Sequence, residues 1–153
     1  MQQIITEIKK SLDEMRYYTY GDYYLLENGD LKFDIVDHKN DNYTYLTLVH
    51  ELLEYFLLRA KGIDISIIDE FDQKFEEDPE RIALYTEPGA DPTAPYYEEH
   101  AYANTVVKYL CDTTGLDYEE WLNIDLDNKI SNIKNNNENQ NSSDPVMVNA
   151  NSI

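Results

Sequence analysis

The chain has 153 residues, with 12 Lys+Arg against 31 Asp+Glu and a formal charge of −19. That charge would repel phosphate backbones and anionic lipid, which argues against nucleic-acid and membrane-surface partners. A hydrophobic fraction of 42% suffices for one core, and a single Cys excludes an internal disulfide or a Cys-cluster metal site.

The first residues, MQQIITEIKKSLDEM, interleave charges with apolar positions, unlike a signal peptide, and no apolar run reaches spanning length. The expectation is a soluble, cytoplasmic protein of a reducing compartment.

Residues 2–15 set Ile5, Ile8, Leu12 and Met15 at helical spacing, predicting a short amphipathic helix. From Arg16 the texture becomes aromatic and β-branched, and Asn28-Gly29 is a hairpin signal. Leu31, Phe33 and Ile35 alternate with Lys32, Asp34 and Val36, so 16–37 should form a small antiparallel β element. A polar loop, DHKNDN, follows, in which His38 reads as solvent-exposed.

Residues 43–61 read as a central helix stopped by Gly62, apolar nearly all round and therefore buried on most sides. A second helix is expected over 64–75, with Ile65, Ile68, Asp72 and Phe75 on one stripe. Glu76–Pro95 carries four prolines and should be irregular. Helical spacing returns over 96–114 with Tyr96, His100, Ala103, Val107 and Leu110 on one face, and again over 117–134 after a capping box at Asp117. After Lys134 the chain turns to Asn, Gln and Ser, so 135–153 is expected to be a flexible tail beside a single 1–134 domain. The fold class is therefore α+β, with about five helices.

The chemistry concentrates in His50-Glu51-Leu52-Leu53-Glu54. His50 and Glu54 stand one helical turn apart on one face, a spacing that lets two ligands grip one metal ion. A helical His-Glu-x-x-His binds zinc on the same logic, with the intervening Glu handling the water proton. Here the second His position holds Glu54, whose carboxylate is a competent ligand. His100 and Asp72 interrupt two other apolar stripes, and buried groups of this kind should pair or bind metal. The expectation is a divalent transition metal, zinc first, held by His50, Glu54 and His100. Glu51 would be the catalytic base, and Asp72 and Glu99 would be candidates around the ligands. Cys111 reads as a core filler.

The order GDYY, NG, LKFDIVD, VHELLEYFLLRAKGI, DEFD, DPTAPYYEEH and GLDYEEW, over about residues 16–121, resembles a group of small uncharacterised proteins of bacteria and their phages. Those proteins pair a helical His-Glu-Leu-x-Glu and Gly-Ile stop with an Asp-x-Phe-Asp helix and a late Ala-Pro-Tyr-x-x-x-His. The resemblance singles out His50, Glu51, Glu54, Asp69, Asp72 and His100. It implies a shared site rather than a reaction, and the missing second motif His argues against peptidase chemistry.

Three functions follow. The first is a metal-dependent hydrolase. The second is a non-enzymatic phage structural or interaction protein whose tail, through Val146–Val148, docks on a protein partner. The third is an acidic DNA-mimicking inhibitor, which the dispersed acids disfavour.

Overall fold

Ile4, Ile5, Thr6 and Ile8 are β-branched, and they enter a strand rather than the expected N-terminal helix. In the computed structural model, which describes residues 2–85 and 87–124, β1 (Ile4–Lys9) lies parallel to β3 (Leu31–Val36), in register from Ile4 beside Leu31 to Lys9 beside Val36. The helical spacing of Ile5, Ile8, Leu12 and Met15 is a local coincidence. The free edge of β3 offers a backbone ladder that local periodicity cannot reveal. Only a 3-10 turn at Leu12–Glu14 remains of the helix, and Met15 is buried with Tyr20 and Val36.

β2 (Gly21–Leu25) pairs antiparallel with β3, giving the strand order β1-β3-β2. The small sheet is thus mixed rather than purely antiparallel. The hairpin turns at Asn28-Gly29 as expected, with Gly29 at φ 83° and its N–H donating to the Leu26 carbonyl. Leu31, Phe33 and Ile35 are fully buried. Lys32 on the alternate face bridges Glu7 of β1 and the buried Asp34.

α1 (Asp41–Lys61) starts at an Asn40 cap that accepts from the Asn42 N–H and ends at Gly62, φ 73°. One flank packs Leu48, Tyr55 and Leu58 on Tyr23, Leu31 and Phe33. Another packs Tyr43 and Leu46 on Val107 and Cys111 of α4 (Tyr97–Thr114). Its outer stripe, Tyr45 and Phe56, remains exposed, so burial is less complete than the apolar wheel implies.

α2 (Ile65–Glu76) buries Ile68, Asp72 and Phe75 on the anticipated stripe. The stretch 76–95 is not wholly irregular, because α3 (Pro79–Tyr85) forms within it. The Asp78 carboxylate accepts from the N–H groups of Glu80 and Arg81. Pro79 at the first helical position therefore starts a helix rather than breaking one. A 3-10 turn at Pro88–Ala90 then leads to α4, which Gly115 closes at φ 75°. Residues 118–124 are helical after an Asp117 cap and bring Trp121 against Tyr43 and Val107. The rest of the expected 117–134 helix and the 135–153 tail lie outside the described residues. Among the described residues, no helix is long and apolar enough to cross a membrane.

Candidate metal centre

The middle of α1 carries His50 and Glu54 toward α4, where His100 faces them from the second turn. All three residues are buried, at 5%, 4% and 9% exposure. His50 Nε2 lies 3.2 Å from His100 Nδ1 and 3.6 Å from Glu54 Oε2, and His100 Nδ1 lies 2.9 Å from the same oxygen. A point about 1.9 Å from all three atoms lies within that triangle, so an ion at the usual ~2.0–2.1 Å would sit just off its plane. Tetrahedral ligands at such distances stand about 3.4 Å apart, close to the observed separations. The three side chains form a group that can hold a metal ion. Imidazole and carboxylate suit zinc, manganese and iron alike, so the donor set does not choose among them.

The supporting shell is largely in place. Tyr23 of β2 donates its hydroxyl hydrogen to Glu54 Oε1 at 2.6 Å, leaving Oε2 for the centre. His100 Nε2 donates to Glu87 Oε1 at 3.1 Å, which fixes the ring with Nδ1 inward. This carboxylate–imidazole arrangement is one that metal-ligating histidines generally need. His50 Nδ1 is buried with no hydrogen-bond partner among the described residues. Burial disfavours a charge on Glu54, but hydrogen bonds from His100 and His50 outweigh it and hold the carboxyl below its usual range. Burial likewise opposes charge on His100, yet Glu87 and Glu54 raise its pKa well above the ordinary imidazole value.

Glu51 opens into the same cavity, of about 90 Å³, against the backbone of Gly21. Burial first, and the neighbouring Glu54 second, push its carboxyl well above the usual range. No described side chain donates a hydrogen bond to it. Two glycines make the site possible: a Cβ at Gly21 would overlap the Glu51 carboxyl, and one at Gly89 would overlap the His100 ring.

The remaining candidates separate. Asp72 lines the cavity and accepts from the hydroxyls of Tyr96, at 2.6 Å, and Tyr17, at 3.2 Å. Burial nevertheless lifts its pKa to about 7. Asp69 sits on the rim, 2.9 Å from Arg16, whose guanidinium also forks onto the buried Asp22. Glu99 is buried but turned away from the cavity, paired with Lys61. It therefore stands outside the cluster, facing Lys61, Pro92 and Ala94 instead. His38 is not the exposed loop residue expected. It lines the cavity, stacks on Tyr20 with ring centroids 4.9 Å apart, and lies 2.8 Å from Thr47 Oγ1. Cys111 is fully buried, as a core filler should be.

Sequence reasoning missed Glu87, Tyr23, Gly21 and Gly89. Glu87 precedes a Pro-Gly pair, a turn signal beside a long loop, and that was the one available hint. No family model matches the chain, and neither the curated proteins nor the solved structures contain a significant match.

Proposed function

We propose that the protein is a metal-dependent hydrolase, with His50 Nε2, Glu54 Oε2 and His100 Nδ1 as the ligands of a zinc ion. The observation that carries this reading is the triangle of those three donor atoms, buried and spaced for tetrahedral ligation. Three protein ligands leave one position for water, as catalytic zinc sites do. When bound, the ion would supply Lewis-acid activation of that water. Glu51, facing the cavity without a hydrogen-bond donor, takes the proton and returns it to the leaving group. Tyr23 holds Glu54 and Glu87 holds His100, so neither ligand needs to reorganise.

A second reading rests on the same bonds. His100 with a proton on each nitrogen can join Glu54 to Glu87 and close a polar cluster that only fixes the packing of α1 on α4. Metal analysis of the full chain, purified without chelator or His-tag, separates the two. One transition-metal ion per chain, lost in His50→Ala and kept in Glu51→Gln, supports the metal centre, and a metal-free chain overturns it. Glu51→Gln should also abolish any hydrolysis found with ester and amide substrates.

A further inference from the structure

α1 carries a second apolar seam that the cavity does not use. Tyr45, Val49, Leu52 and Phe56 follow the alternating four- and three-residue spacing of a coiled-coil helix, on the flank away from His50 and Glu54. Tyr45, Leu52 and Phe56 are exposed at 60%, 36% and 63%. α4 runs antiparallel beside α1, from the Lys61–Glu99 pair at one end to Tyr43 against Cys111 at the other. It repeats the spacing with Tyr102, Val106 and Tyr109, and the two tyrosines are 56% and 68% exposed. The inner stripes of both helices are spent on each other and on the cavity, and both outer seams face away from it.

The seams are also free of charge in a chain of −19. Between Asn42 and Leu58 the charged residues of α1 are Glu51 and Glu54, and both face the cavity. Between Glu99 and Lys108 α4 has none. Such a face is where two strongly anionic copies can approach with least repulsion. The α1 seam is moreover matched to its own reverse. In an antiparallel pair of α1 helices centred between Val49 and Leu52, Val49 meets Leu52 and Tyr45 meets Phe56 of the other copy. The same register brings the basic last turn of each helix, with Arg59, to the acidic first turn of the other, with Asp41.

We propose that this face is the two-fold interface of a homodimer, with α1 packed antiparallel on α1 of a second copy and the α4 tyrosines closing over the flanks. The four exposed rings still offer roughly 100–150 Å² each. With Leu52 and the polar residues around them, the face approaches the about 800 Å² per copy that a stable interface buries. The cavity stays open in this dimer, because it lies on the other side of α1.

The test is sedimentation equilibrium of the full chain at about 0.1 to 100 µM, since interfaces of this size reach micromolar affinity or better. Wild type should be a dimer at the upper end, with or without zinc. Phe56→Lys and Tyr45→Glu should each weaken the dimer at least hundredfold while circular dichroism stays unchanged, because both side chains are exposed in the single copy. The two substitutions together should recover at least tenfold of that loss, because the antiparallel register sets position 45 of one copy on position 56 of the other. Ile5→Lys, at an exposed apolar site on the far face of the sheet, should leave the dimer intact. A chain that is monomeric throughout, a dimer that Ile5→Lys breaks and Phe56→Lys does not, or a double variant no tighter than the single ones overturns the proposal. The seam and the metal centre lie on opposite flanks of α1, so a metal-free chain would sink the hydrolase reading alone.

Discussion

The α-carbon of Gly89 lies directly against the imidazole of His100, so close that a single methyl group there would overlap Cγ, Nδ1 and Cδ2 of the ring. The ring has no room to retreat, since Glu54 holds one nitrogen and Glu87 the other. Gly89→Ala should therefore displace Nδ1 from the triangle. Zinc affinity, measured by competition with a chromophoric chelator, should fall at least tenfold. Wild-type affinity in Gly89→Ala would show that His100 is not a ligand.

Tyr23 offers a milder perturbation of the same centre. Tyr23→Phe keeps the ring among Phe33 and Tyr55 and deletes only the hydroxyl that donates to Glu54 Oε1. Stability should drop by about 1–2 kcal/mol in urea unfolding, because a buried charged acceptor loses its donor. Zinc affinity should fall together with it, since the carboxylate is then free to rotate.

Much of this centre is legible in the chain itself, and the reason is local. Helical spacing alone puts His50 and Glu54 on one face, and His100 breaks an apolar stripe at a definable position. Gly62 and Gly115 stop helices at their expected places. What is not legible depends on partners far away in the chain. β1 reads as a helix until β3 supplies its ladder, and Asp78-Pro79 reads as a break until the Asp78 carboxylate caps α3. Glu87 and Tyr23 sit in a loop and a strand whose periodicity carries no trace of the ligands they orient.

Arg16 ties β2 to α2 through Asp22 and Asp69, and it also lies over the Tyr24 ring at 3.9 Å. Asp22 is only 3% exposed. Arg16→Met keeps the apolar stem but leaves that carboxylate buried without its cation, with only the Tyr17 hydroxyl still donating to it, which should cost about 3 kcal/mol. Asp22→Asn in the same background should recover part of the loss by removing the stranded charge. A double variant no more stable than Arg16→Met would mean that packing on Tyr24, not the ion pair, is what Arg16 contributes.

His38 makes the stability of the fold depend on acid in a predictable direction. Burial against Tyr20 and Thr47 lowers its pKa from 6.5 to about 4, so the folded chain refuses a proton that the unfolded chain accepts. Its contribution is therefore full above about pH 6.5 and is lost as pH falls toward 4. Discounted for partial exposure of the ring, the loss should reach on the order of 2 kcal/mol by pH 4.5. Phenylalanine can keep the stack on Tyr20 but cannot titrate. Urea unfolding of wild type and His38→Phe between pH 7.5 and 4.5 isolates the effect, because the remaining carboxylates titrate in both. The two stability curves should converge by about that amount as the pH is lowered, wild type losing more. Parallel curves would mean that the folded chain accepts the proton on His38 without cost, and burial of the ring would not be what sets its pKa.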